Sequence, residues 1–251
     1  MKHFPLFALI MAAMLMAGCG KQAATPPTTK AKAVDSGDST IYGLVCDGSS
    51  DSILVFLPDP YDGSDPDTLD SLDASRHHHV FGRLYVGDRV AILRDSTNSN
   101  QASVVIVTQD LQGPWCYKVK PRLRSRSVME SDSLTQDIWD LPDSSREQLL
   151  VEREYGFNLK TDSVAMPIGM RQAHADEDSP IEYPPLKRYR QWYIRNGRLH
   201  LVETSIDTLG NMKPIATDTA ELVELTPDTL VLRLPDGLHG YYRKTENELN
   251  Q

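Results

Sequence analysis

Cysteine is scarce in this chain, aromatic residues are few, and acid outnumbers base. Three cysteines in 251 residues exclude a disulfide-dense scaffold and a four-thiolate zinc centre. With 35 acidic against 26 basic residues and a net charge of −9, the chain lacks the broad positive field that nucleic-acid binding requires, so no nucleic acid is expected as a partner. The sequence also lacks a Gly-rich phosphate loop, a G-x-S-x-G elbow and an H-E-x-x-H pair. No catalytic residue, metal ligand or cofactor is therefore assigned, and the chain is not expected to be an enzyme. The uncharged apolar run at the start, Phe4 to Met16, is roughly 13 residues long, short of the ~20 that a helix needs to span a bilayer.

That run follows the basic start Met1-Lys2-His3 and ends in small residues, which is the layout of an export signal. The segment Leu15-Met16-Ala17-Gly18-Cys19 resembles the lipobox of bacterial lipoproteins, with Met16 where that motif prefers Leu. The resemblance implies removal of residues 1–18 and a diacylglycerol thioether on Cys19. One acyl chain holds a protein only marginally, so the further acylation typical of such proteins is what makes the anchor stable. The membrane, reached through this lipid, is the first expected partner. Gly20 and Lys21 carry no acidic sorting residue, so the expected location is the cell envelope, most directly the outer membrane on its periplasmic or surface face.

Residues 19–39 are rich in Pro, Thr, Ala and Ser, with almost no large apolar side chain, and read as a flexible tether. Strand patterns begin after it. Tyr42 to Cys46 and Ser52 to Pro58 are β-branched apolar runs around the turn-forming cluster Asp47 to Asp51, which predicts a hairpin. Asp65-Pro66, with Leu69 and Leu72 three apart, predicts a short helix from Pro66 to about Arg76. Val80 to Leu93 and Ala102 to Leu111 read as further strands, so residues 40–117 are expected to form a small β-barrel domain. Cys46 and Cys116 are candidates either for a disulfide or for two buried thiols, and spacing alone leaves both open.

The neighbouring histidines His77 to His79 and the aspartates Asp59, Asp62, Asp65, Asp67 and Asp70 are read as a solvated helix end and as turn and cap chemistry. Residues 118–137 form a linker or basic strand. Lys118, Lys120, Arg122 and Arg124 recur at every second position, which places them on one face of an extended strand. Such a stripe either blunts a solvated edge or docks an anionic partner, such as a phospholipid headgroup or a glycolipid.

Over residues 138–246, hairpin signals follow one another. Ser144 and Glu147 have capping-box spacing. Phe157 and Leu159 alternate toward a Thr-Asp-Ser turn, Asn196-Gly197 separates Trp192 and Ile194 from Leu199 and Leu201, and Pro227-Asp228 interrupts another alternating pair of runs. The chain is thus expected to be mainly β, with two small antiparallel barrel-like domains, each with a short helix. The Trp139 region, the run from Tyr155 to Asp162, the W-x-I-x-N-G-x-L-x-L run from Trp192 to Leu201, the run from Leu225 to Leu232 and the terminal Tyr241 to Lys244 together resemble the lipocalin-like domain of secreted bacterial lipoproteins.

That resemblance implies a barrel that encloses a small apolar or amphiphilic ligand, with Phe157, Trp192, Leu201, Leu232 and Tyr241 as the candidate cavity lining. The competing expectation is a barrel filled by those same side chains, in an adaptor that binds a protein or anionic glycolipid of the envelope.

Overall fold

The computed structural model describes residues 37–123, 142–144, 147, 150–169, 181–207 and 210–245. The protein is mainly β, and residues Ser36–Gln251 cluster as one compact unit. Two sheets of six and eight strands dominate it.

The six-stranded sheet is built from β1 (Thr40–Val45), β2 (Ile53–Asp59), β3 (Asp67–Asp70), β4 (Val80–Phe81), β5 (Arg89–Arg94) and β6 (Ala102–Val107), in the order β3-β2-β1-β5-β6-β4. The expected first hairpin is present, with Val45 opposite Phe56 and Tyr42 opposite Asp59. Alternation gives the sheet two apolar faces. One buries Val45, Leu54, Phe56, Leu69, Val90, Ile92, Val105 and Val107. The other presents Ala91 and Ile106 to the second sheet's core.

The helix expected from Pro66 to Arg76 is half strand. Asp67–Asp70 pairs with β2, and only Leu72–Arg76 (α1) is helical. The open edge of β2 sets the outcome: pairing Leu69 with Leu54 leaves Leu69 only 2% exposed, and that burial outweighs a local helix signal. Asp65 therefore caps nothing, and the Asp70 carboxylate instead accepts the Leu72 N–H at 2.9 Å. Asp67 pairs with Arg94 at 3.1 Å.

The run from Ala102 to Leu111 also divides. After β6 the chain turns through a short helix, α2 (Thr108–Leu111), and enters β7 (Gly113–Val119). The turn at α2 carries β7 away from β6. It pairs instead with β9 (Arg153–Leu159) and β16 (Gly237–Arg243). The sequence boundary at residue 117 thus falls inside a strand of the second sheet, whose first strand lies well upstream of Ile138.

The second sheet also contains β10 (Ala165–Ile168), β12 (Tyr189–Arg195), β13 (Arg198–Ile206), β14 (Met212–Leu225) and β15 (Thr229–Leu234), and it runs β10-β9-β7-β16-β15-β14-β13-β12. Every neighbouring pair is antiparallel. The two end strands meet through a bridge between Val164 and Gln191, and the Trp192 N–H donates to the Ser163 carbonyl at 2.9 Å. The sheet is therefore an almost closed up-and-down barrel.

The turns take the residues that the sequence marked for them. Asn196 (φ 50°) and Gly197 (φ 68°) occupy the left-handed region that a two-residue hairpin turn demands, and Asp162 and Ser163 do so between β9 and β10. A two-stranded ladder joins β8 (Arg122–Leu123) to β11 (Ile181–Glu182). The capping-box helix at Ser144 and Glu147 falls largely outside the described residues.

Candidate functional site at the open end of the barrel

Among the described residues, the barrel has a closed end plugged by side chains and an opposite end without such a plug, the open end. At the closed end, β7 starts with Gly113-Pro114-Trp115 and β16 finishes with Arg243, which is directly opposite Trp115. The Arg243 guanidinium lies over the Trp115 ring, 4.1 Å from its centroid. It donates to the carbonyls of Asp110 (2.5 Å), Gln112 (2.6 Å) and Pro227 (2.5 Å). The planar fork of arginine suits three fixed acceptors and one aromatic face. Gly113 (φ 126°) has to be glycine here, because a Cβ would collide with Nη1 of Arg243.

The six-stranded sheet continues this closure. The Tyr42 hydroxyl donates to the Ile194 carbonyl at 2.7 Å, and burial, followed by the charge of Asp38, pushes that phenol up to about 12.

Above this plug the interior is filled. Phe157, Trp192, Leu201, Leu232 and Tyr241, the residues marked as cavity lining, do converge in one core cluster. Leu201 and Leu232 are 0% exposed, and Trp115, Leu159, Leu199, Leu222 and Leu230 pack with them. The Trp192 indole N–H donates to the Lys160 carbonyl at 2.8 Å. These five residues therefore form a core, and the space they were expected to line is occupied by their own side chains.

The open end is built differently. The inward positions of β7, β9, β12 and β16 there are tyrosines. Tyr117 meets Tyr241 edge-on at 5.5 Å and Tyr155 at 6.3 Å, and Phe157 meets Tyr241 at 5.1 Å and Tyr189 at 5.8 Å. On the opposite wall Asp218, on β14, accepts the Tyr189 hydroxyl at 2.5 Å and the Lys187 ammonium at 2.7 Å, both on Oδ2. Burial disfavours the charge on Asp218, yet the hydrogen bonds from Lys187 and Tyr189 overcome it and hold the carboxyl below its ordinary range. Burial also works against the Lys187 ammonium, and the same bond keeps it protonated to higher pH than usual. The Tyr189 phenol is driven up by burial and then by Asp218.

Glu203, opposite Tyr189 on β13, accepts the Arg188 N–H at 2.5 Å. Asp236 and His239 pair at 2.9 Å on the rim. Residues from Ile181 to Leu186 pass over this end, where Ile181, Tyr183 and Leu186 pack on Val119, Tyr155 and Tyr117. Tyr183 is fastened by its hydroxyl to the Val151 carbonyl at 2.7 Å, with Arg153 lying 3.8 Å over its ring.

Among the described residues, the hydroxyls of Tyr117 and Tyr241 have no hydrogen-bond partner. Burial raises both phenols, so both remain protonated donors at neutral pH. Two donors, a paired carboxylate and a set of aromatic rings thus converge on one end of an otherwise filled barrel. The arrangement is suited to holding the polar end of a small molecule by hydrogen bonds while rings cover its apolar part.

Tyr241 and Phe157 carry a sequence signal, whereas Tyr117, Tyr189, Lys187, Asp218, Trp115 and Arg243 join the site through strand pairing. Alternation within Trp115-Cys116-Tyr117 is the available signal, hidden because this strand follows the first sheet in sequence and pairs with the second.

The other marked residues lie elsewhere. Cys46 follows β1, its thiol 3.6 Å from the Leu44 carbonyl, and Cys116 is buried in β7; no disulfide joins them. Lys118 and Lys120 both face Glu152, at 3.7 and 3.4 Å, so two members of the basic stripe are paired to an acid. Arg122 is exposed on β8, while Arg124 and the acylation candidate Cys19 lie outside the described residues. His77 and His79 approach each other, ring centroids 6.2 Å apart, and His77 Nδ1 contacts the Asp73 carbonyl at 2.8 Å.

The pairings define a nearly closed antiparallel β-barrel with one plugged end and one polar, aromatic end. No protein-family model matches the chain, and no curated protein matches it. A solved structure of a lipocalin-like protein from Bacteroides thetaiotaomicron is similar over 53% of this chain and 95% of that chain, at 17% identity and a TM-score of 0.28. At that score the similarity carries no argument, and the architecture rests on the strand pairings themselves.

Proposed function

We propose that this chain is a non-catalytic lipoprotein of the bacterial cell envelope, acylated on Cys19, whose lipocalin-like barrel binds a small amphiphilic ligand at its open end. The observation that carries the binding part is the pair of unpartnered hydroxyls on Tyr117 and Tyr241. They sit beside the Tyr189–Asp218–Lys187 bonds, at an end where, among the described residues, the segment Ile181 to Leu186 packs on Val119, Tyr155 and Tyr117. The packing of Trp192, Leu201 and Leu232 argues for a shallow site in place of a deep calyx. The acylation part rests on the sequence from Leu15 to Cys19.

One observation favours a second reading, an adaptor for an envelope protein. The β13–β14 hairpin extends past the open end and exposes Ile206 (71%), Met212 (64%) and Ile215 (64%), an apolar tip that suits a partner surface. Native mass spectrometry of the protein purified from its own envelope separates the two. A non-covalent small molecule lost on denaturation supports the binder, and a co-purifying protein with an empty barrel supports the adaptor. An intact mass without added acyl chains would remove the anchor from either.

A further inference from the structure

The six-stranded sheet carries a second arrangement, independent of the tyrosine site. The β1–β2 turn, the end of α1 and the loop between β4 and β5 border an open groove of about 590 Å³, a size within the ~300–1,000 Å³ of small-molecule sites. Asp51, His78, Arg83 and Tyr85 line it. All of them are exposed, and among the described residues their side chains have no hydrogen-bond or ion-pair partner. Tyr85 is 59% exposed, so most of its ring is open to a ligand.

The backbone beneath these side chains is fixed. Asp110, on α2, accepts the Arg83 N–H on Oδ2 at 2.7 Å, and Gly82 (φ 92°) has to be glycine, because a Cβ would come within 2.7 Å of the same oxygen. The Asp88 carboxylate accepts the Tyr85 N–H at 3.0 Å. Across the groove, the Ser75 hydroxyl donates to the Asp51 carbonyl and so joins α1 to the β1–β2 turn, where the Ser49 hydroxyl accepts the Val55 N–H at 3.0 Å. A backbone already ordered in this way loses little freedom when a ligand engages its side chains.

The mixture of groups selects the ligand. Arg83 and Asp51 bring opposite charges to one groove, so a dense anion such as phosphate meets a carboxylate as well as a guanidinium. A metal ion finds too few ligands, because among the described residues no three His, Cys, Asp or Glu side chains converge. A sugar hydroxyl, by contrast, both donates and accepts. Neighbouring hydroxyls match the paired oxygens of Asp51 as donors and the planar fork of Arg83 as acceptors, while the C–H face of a pyranose covers the Tyr85 ring. We propose that this groove binds a neutral saccharide, held by Asp51 and Arg83 and stacked on Tyr85.

The test uses the protein purified from its own cells, with maltotriose, cellotriose, mannotriose, xylotriose and N-acetylated chitotriose as the probes. Saturation-transfer nuclear magnetic resonance detects binding, and isothermal titration calorimetry measures it. At least one of these trisaccharides should bind. Tyr85→Ala and Arg83→Gln should each weaken that binding about ten-fold, whereas Tyr61→Ala, at an exposed tyrosine outside the groove, leaves it unchanged. Melting temperatures of these surface variants should stay within about 2 °C of the unmodified protein, which separates a lost contact from a lost fold. Asp51→Asn, which keeps the side-chain volume, should weaken binding in the same sense. Silence from every probe overturns the proposal. So does binding that survives both the Tyr85 and the Arg83 substitutions, or a groove that takes inorganic phosphate more tightly than any of the sugars.

Discussion

Replacing Arg243 by alanine removes the plug of the barrel's closed end, and the structure gives the size of the effect. Three backbone carbonyls, those of Asp110, Gln112 and Pro227, lose a charged donor, and the Trp115 ring, 0% exposed, loses the guanidinium stacked on it. A hydrogen bond to a charged group contributes about 1.5–3 kcal/mol, and a desolvated cation–π contact adds ~1–2 kcal/mol. Water entering at the vacated position replaces part of the donors. The net loss expected is about 3 kcal/mol, or roughly 6–12 °C in melting temperature for a unit of this size. Arg243→Lys should recover less than half of it, because an ammonium cannot reach three carbonyls in one plane. Differential scanning calorimetry of the three proteins measures this directly. A melting temperature for Arg243→Ala within 2 °C of the unmodified chain, on any such scale, would refute the role assigned to the arginine.

Other perturbations follow from the same contacts. Asp218 titrates below its ordinary range in the folded barrel, so it stabilises the fold above its unfolded pKa of about 3.9 and loses that contribution as pH falls through the folded value. Asp218→Asn should therefore show a flatter melting-temperature profile in acid, below about pH 4, and an unchanged acid slope would contradict the pairing. Leu201→Ala, at a site with 0% exposure, should cost about 2–5 kcal/mol in denaturant titration; a neutral result would mean that the interior is not packed. Ser71 is 1% exposed and its hydroxyl has no partner, although it directly precedes α1. Ser71→Ala should then be neutral or stabilising by up to ~1 kcal/mol, opposite to the loss usual at a helix N-terminus, and a clear destabilisation would expose a hidden bond.

Strand signals were legible where residues alternate and turn chemistry is strong. Asn196-Gly197 gave both the hairpin and its register, since two consecutive left-handed residues leave little else possible. Local signals failed where distant pairing decided. Nothing near Asp67 announces that β2 will recruit it, and nothing in Gly113 to Val119 says whether it continues the first sheet or opens the second.

The candidate site was half visible for the same reason. Tyr241 and Phe157 stand in recognisable hairpins, whereas Lys187 and Asp218 lie 31 positions apart and meet only when the barrel closes. The fate of the lining residues was also beyond periodicity. An inward aromatic or leucine reads identically whether it borders a cavity or fills one, and only the packed cluster of Trp115, Trp192, Leu201 and Leu232 distinguishes them.

The binding reading comes down to whether something occupies the polar end of the barrel. A crystal structure of protein isolated from its own envelope, without refolding, looks there directly. The expected result is non-protein density within hydrogen-bonding distance, about 2.5–3.2 Å, of the Tyr117 and Tyr241 hydroxyls and above the Leu201–Leu232 core. Water alone at both hydroxyls, or a ligand bound away from them, would contradict it.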